Sequence, residues 1–237
     1  MTPFAAAIST ETVSFISDGV TIKAFLARPS DAAAQPAVLI LHEWWGVNQH
    51  IRDIASRFAG AGFVALAPDL YSRLGYKVTS DAAEAARLMN ALSSQAALRD
   101  LNAAIRFVKT QSFVDSLAIG VVGFCMGGTL ALTLATHNTD VKAVVPFYGK
   151  VPPSESLSRL MCPVLFHHGA KDDWVTKQEV DRLRDGLAQH HKRGEVRVYP
   201  DAGHAFFNDS RPEVYRSADA AVAWESTVTF LRRYLRG

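Results

Sequence analysis

The sequence predicts an α/β fold: one domain over residues 1–237, with a mainly parallel central sheet, helices on both faces and an N-terminal antiparallel hairpin. Three observations carry this expectation. Short apolar runs, such as residues 37–41 and 63–67, read as strands covered on both faces. Segments of helical periodicity alternate with them at the spacing of crossover connections. The chain, 237 residues and 49% hydrophobic, is long enough to bury one sizeable core.

The elements follow in order. Residues 12–16 and 20–26 flank Ser17-Asp18-Gly19 and read as a hairpin. After the strand at 37–41, an amphipathic helix over 51–61 places Ile51, Ile54, Ala55 and Phe58 on one side. The strand at 63–67 and two helical segments, 81–92 and 95–110, lead to a strand at 117–122. Strands follow at 141–147, 164–167 and 196–199, with a helix at 177–190 between the last two. A helix over 212–235 closes the chain. No internal repeat, low-complexity stretch or credible domain boundary interrupts this series.

Bulk properties narrow the function classes. A net charge of +2 without a basic run gives no footing for nucleic acid. No segment reaches the apolar length of a membrane span, and residues 1–8 lack the pattern of a secretory signal. Two cysteines, Cys125 and Cys162, suit a reducing cytoplasm, and Cys162 before Pro163 reads as structural. The histidines His42, His50, His137, His167-His168 and His190-His191 show no metal-ligand spacing, and no phosphate loop is present, so neither metal nor cofactor is expected.

The chemistry concentrates at Gly123-Phe124-Cys125-Met126-Gly127-Gly128, between a strand and the helix-prone residues 129–135. This is the context of a nucleophile elbow with cysteine in the serine's place. Its sharp turn strains the nucleophile's backbone and requires small neighbours. A thiol at a helix start also feels the positive end of the helix dipole, which favours thiolate. The alternative is a small, inert, buried cysteine.

Two further candidates follow predicted strands: Asp172 after 164–167 and His204 after 196–199. The order nucleophile, acid, histidine is that of α/β-hydrolase triads. An imidazole exchanges protons near neutral pH, and a carboxylate fixes its tautomer and stabilises its cation. Asp172 has the alternative role of a helix cap, and Asp173 is a rival acid one residue on. The amide of Met126 and the amide of Trp44, in the loop after residues 37–41, are the expected oxyanion donors.

From about residue 37 to the C-terminal helix the chain resembles the dienelactone hydrolases (carboxymethylenebutenolidases), a cysteine-using branch of the α/β-hydrolase fold. The resemblance is carried by His42-Glu43-Trp44-Trp45-Gly46-Val47-Asn48, Ala67-Pro68-Asp69-Leu70-Tyr71-Ser72-Arg73, the elbow, Phe147-Tyr148-Gly149, the Asp172 loop and Ala202-Gly203-His204-Ala205-Phe206. It implies a triad of Cys125, Asp172 and His204, with Glu43 as an extra carboxylate beside the thiol. In that place Glu43 accepts the thiol proton when substrate displaces its own partner, against the plainer reading of a structural ion pair. The family holds a substrate carboxylate with two arginines. At the corresponding stretches this chain has Ser80-Asp81-Ala82-Ala83-Glu84, flanked by Arg73 and Arg87, and Phe207-Asn208-Asp209. Arg73 and Asn208 therefore stand as substrate-binding candidates, with Arg87 as the alternative to Arg73. Trp44, Trp45, Phe124, Tyr148, Trp174 and Phe206 are the aromatic candidates for a pocket, some of them core.

Cysteine itself restricts the reaction. Thiolate leaves a tetrahedral intermediate before a poor leaving group does, so it suits enol-lactones and activated esters, whose departing oxygen is a stabilised anion. Three readings follow: an enol-lactone hydrolase, a broader carboxylesterase or thioesterase, and a non-catalytic binder or redox-sensing thiol protein on a hydrolase fold. An intact triad weighs against the third. The expected partner is a small-molecule ester or lactone, with or without a carboxylate, taken by a monomer or homodimer.

Overall fold

A computed structural model describes residues 7–31 and 33–236. Most of the N-terminal stretch read for a signal, residues 1–6, lies outside them. Eight strands form a mostly parallel sheet in the order β1-β2-β4-β3-β5-β6-β7-β8. The chain divides into two compact units, with the boundary between Ile119 and Gly120. That boundary falls inside a continuous strand, β5 (Val114–Phe124).

In the first unit, β1 (Ile8–Ser17) and β2 (Val20–Pro29) pair antiparallel along their whole length, from Ile8 opposite Pro29 to Ser17 opposite Val20. The connecting Asp18 and Gly19 both take positive φ, 47° and 74°, the geometry that matches the twist of a tight hairpin. The hairpin is longer than its hydrophobic pattern suggested because β1 lies at the sheet edge and exposes much of its length. β2 runs antiparallel to β4 (Val64–Pro68), and β3 (Gln35–Leu41) runs parallel to β4. β4 is buried throughout and β3 at every position after Gln35, as expected for strands covered on both faces. Helix α1 (Gln49–Gly60) buries Ile51, Ile54, Ala55 and Phe58 and packs on β2 and β4. Its start is fixed by Asn48, whose side chain accepts from the Ile51 N–H. Asp81 and Ser93 cap α2 (Ala82–Ala91) and α3 (Ser94–Lys109) in the same manner. A single 3-10 turn, Ser72–Leu74, had no sequence signature.

In the second unit, α4 (Met126–Ala135) follows the elbow. β6 (Val141–Phe147), β7 (Val164–Gly169) and β8 (Gly194–Tyr199) then pair in parallel. A short helix, α5 (Ser154–Leu157), precedes β7, and α6 (Lys177–Gln189) joins β7 to β8 behind a Thr176/Glu179 capping box. α4 and the last helix, α7 (Ser217–Leu235), both pack on β6. All six residues of β7 are buried, and each large apolar side chain so buried contributes about 1.5–3 kcal/mol. α7 begins at Ser217, later than the expected residue 212. Residues 211–216 instead form turns tied back to the loop after β8, where the Arg216 N–H donates to the Phe206 carbonyl at 3.0 Å.

Candidate active site

The second unit carries the elbow. Cys125 takes φ 53° and ψ −117° directly before the first turn of α4. An L-residue held there costs on the order of 1–3 kcal/mol and persists only where its surroundings over-determine it. Two glycines make the turn possible. A Cβ on Gly123 would stand 2.1 Å from the Gly127 carbonyl oxygen, and one on Gly128 would stand 2.6 Å from that of Phe147. The Cys125 N–H donates to the Phe147 carbonyl at 3.1 Å, so Cys125 is pinned to the carboxyl end of β6.

At the same end of the sheet, His204 Nδ1 donates to Asp172 Oδ2 at 2.8 Å. The Asp172 side chain is wholly buried, and its other oxygen accepts from the amides of Trp174 and Val175, each at 2.8 Å. Both oxygens are thus aimed, and Asp172 does not cap α6, which Thr176 does. Asp173 is exposed. The imidazole is held edge-on between Tyr148 and Trp174, with both ring centroids 5.0 Å away. Its side chain keeps 26% exposure, unlike the wholly buried carboxylate behind it. Of the six non-glycine residues with positive φ among those described, Cys125, Tyr148 and Ala205 belong to these loops. Strained backbone gathers where side chains must be aimed.

Other expected pocket residues lie deeper. Phe124, Tyr148 and Phe206 are at most 1% exposed and form an aromatic core with Phe147 and Phe207. Asn208 is fully buried, and its carboxamide oxygen accepts from the Ser210 amide and hydroxyl, which ties the loop after β8. Of the aromatic candidates in this unit, Trp174 alone is partly open.

In the first unit, Glu43, Trp44 and Trp45 lie in the loop after β3, with Glu43 buried and the two indoles in edge contact at 4.9 Å. His42 organises this loop, a role with no sequence signal of its own. Its Nε2 accepts from the Leu70 amide at 3.1 Å, so Nδ1 carries the proton and donates to the Glu43 carbonyl. Burial pushes the His42 pKa down to about 4, so the ring stays neutral. Tyr71 Oη donates to the Trp44 carbonyl at 3.0 Å, fixing the same loop from the segment after β4. Arg73 is occupied elsewhere, forking onto Asp100 at 2.8 and 2.9 Å and donating to the Ser17 carbonyl. Arg87 pairs with Glu84 on its own exposed helix turn.

A strand–elbow–helix nucleophile position and a buried carboxylate on a histidine after the last strand define an α/β hydrolase. Residues 22–235 match the dienelactone hydrolase family, and the chain belongs to that family. A Bradyrhizobium protein named "Probable 2-oxo-3-(5-oxofuran-2-ylidene)propanoate lactonase" is 34% identical, over 97% of this chain and 96% of its own. An Aquifex aeolicus protein named "Putative carboxymethylenebutenolidase" is 33% identical, over 94% of this chain and 98% of its own. A crystal structure from Klebsiella pneumoniae, described as a "Putative Dienelactone Hydrolase", superposes with a TM-score of 0.90 at 31% identity, covering 96% of this chain and all of that one. The protein is therefore a dienelactone hydrolase-like hydrolase. Among the described residues no helix is long and apolar enough to cross a membrane, and no cluster of three metal-ligating side chains occurs.

Proposed function

We propose that the protein hydrolyses enol-lactones, or esters of comparably activated alcohols, through a thioester on Cys125. The observation that carries this reading is the buried Asp172 carboxylate on His204 Nδ1, which leaves Nε2 as the proton carrier. The Cys125 thiolate attacks the carbonyl carbon, and the electron pair moves to oxygen. The amides of Met126 and Trp44 receive the oxyanion. As the carbonyl re-forms, the ring C–O bond breaks and the enolate leaves as a stabilised anion beside His204, which passes to it the proton taken from the water of the next step, while the proton on Glu43 returns to the sulfur. Water then attacks the thioester, gives a proton to His204, and returns the thiol with a free carboxylic acid. Glu43 takes the thiol proton when substrate enters. A free carboxylate on the lactone is suggested by the Bradyrhizobium relative, whose name specifies a propanoate side chain. Two buried cysteines that form no disulfide fit a reducing, cytoplasmic setting.

The test is to trap the acyl group. With a para-nitrophenyl ester, rapid quenching followed by intact-mass analysis gives an adduct that hydroxylamine removes and Cys125→Ala lacks. In Glu43→Gln the single-turnover acylation rate falls about tenfold or more. Turnover by Cys125→Ala at the wild-type rate would sink the thioester, and an unchanged acylation rate in Glu43→Gln would sink that carboxylate's role. Comparable kcat/KM for enol-lactones and unactivated alkyl esters would favour the broader esterase.

A further inference from the structure

We propose that Lys150 is the substrate-recognition cation, taking a free carboxylate on the leaving, enol half of the substrate. The proposal rests on the reading of Cys125 as the nucleophile and deepens it by naming the substrate's charge and the side on which that charge lies.

Lys150 follows β6 by three residues, and it is fastened at both ends of the side chain. Its backbone N–H donates to Thr129 Oγ1 at 2.8 Å, and the Thr129 N–H in turn donates to the Cys125 carbonyl at 3.1 Å. The lysine backbone is therefore bolted to the helix turn that begins at the nucleophile. At the other end, Nζ lies 5.0 Å from the centroid of the Trp174 ring. That ring meets the His204 imidazole edge-on, centroids 5.0 Å apart. Trp174 is fixed in turn by its backbone N–H, which donates to Asp172 Oδ1 at 2.8 Å. The ammonium thus stands one indole away from the base, held by cation–π attraction rather than by a counter-ion.

The absence of a counter-ion separates Lys150 from the cations around it. Lys171 pairs with Asp201, Lys177 with Asp181, and Arg182 with Glu179. Among the described residues no carboxylate lies within ion-pair distance of Lys150, and its side chain is exposed. The other candidates for this task are committed: Arg73 to Asp100, Arg87 to Glu84, and Asn208 to its own turn. Its place on the histidine side decides which half of the substrate it meets. His204 serves the departing oxygen, so a cation beyond the Trp174 ring faces the leaving group rather than the acyl chain. A carboxylate there gains a charge-assisted hydrogen bond in a geometry already set.

Two esters test this: para-acetoxybenzoate, and its methyl ester, which has the same acyl group and a comparably activated phenol without the charge. In wild type the charged ester has the lower KM. Lys150→Gln lowers the charged-to-neutral ratio of kcat/KM by about tenfold, through KM rather than kcat, and weakens inhibition by the product para-hydroxybenzoate by a similar factor. Lys150→Arg restores most of the ratio. Added salt erodes the preference in wild type and leaves the ratio in Lys150→Gln flat. If both esters acylate Cys125 and the ratio is the same in Lys150→Gln as in wild type, the Lys150 proposal falls and the lactonase reading stands. If neither ester acylates Cys125, both fall.

Discussion

After β3, His42 is fully buried between the Leu70 amide and the Glu43 carbonyl. After β8, His204 is partly exposed and donates to the buried Asp172 carboxylate. The side chain is the same and the outcome opposite. A neutral donor and acceptor hold His42 uncharged, with burial depressing its pKa to about 4, so the ring fixes loop geometry and carries no proton. The buried carboxylate behind His204, on a ring that keeps partial exposure, suits the proton-carrying role proposed for it. His167 repeats the first pattern inside the core. Its two nitrogens bond the hydroxyls of Tyr199 and Thr227, and burial takes its pKa to about 3. What an imidazole does here is set by the charge of its partner and by access to water, not by its position at a strand end.

The sharpest way to break this comparison is to exchange the partners. Asp172→Asn keeps a hydrogen-bonding side chain of the same size but removes the negative charge and allows the wrong tautomer. It should lower kcat by about 10³–10⁴, as carboxylate removal does in such triads, in steady-state assays with an aryl ester. A loss below tenfold would mean that His204 does not work through Asp172. His42→Leu should act on stability instead. It strands the Leu70 amide and the Glu43 carbonyl in a buried setting, at a cost of about 2–3 kcal/mol. In a chain of this size that lowers Tm by about 5–10 °C. A stable His42→Leu protein would show that the loop is held by other contacts.

The Cys125 elbow was legible in sequence because its glycines record a backbone problem that few residues solve. The chain order of Asp172 and His204 was legible because α/β loops return to the same sheet edge. The choice between Asp172 and Asp173 was not. It depends on a turn in which the Trp174 and Val175 amides close on one carboxylate, and a shift of one residue leaves no trace in composition. Arg73 was misleading for a similar reason, since its partner Asp100 lies 27 residues away and only folding brings the two together. Phe124, Phe206 and Trp174 read alike as aromatic residues near motifs, yet two are core and one is partly open. Such long-range pairings and burials carry no local signature.

The two neutral histidines also predict a pH dependence of stability. Their folded pKa values, about 4 for His42 and about 3 for His167, lie below the ordinary imidazole value of 6.5. Between those values the unfolded chain binds more protons, so stability is full above pH 6.5 and is lost as the pH falls through the acid range. Asp69 opposes this. Burial raises its pKa to about 6, so its protonation favours the folded state as the pH drops. The histidines shift further and are two, so the net loss from pH 7 to pH 5 is about 2–3 kcal/mol. Urea denaturation at the two pH values measures it. In His42→Leu the difference should shrink by about half or more, and an equal loss there would assign the acid limb to other groups.

The smallest expected effect tests the comparison at its finest grain. Asp173 is adjacent to Asp172, the acid of the proposed triad, has the same side chain, and is exposed. Through water its field at the imidazole is screened, and it bonds neither the Trp174 nor the Val175 amide, both of which go to Asp172. Asp173→Asn should therefore leave kcat/KM within about twofold and stability within about 0.5 kcal/mol of wild type. Measured beside Asp172→Asn, it separates proximity from contact. If Asp173→Asn lost a hundredfold and Asp172→Asn did not, the acid would be the exposed residue, and a buried partner would not be what turns a histidine into a proton carrier.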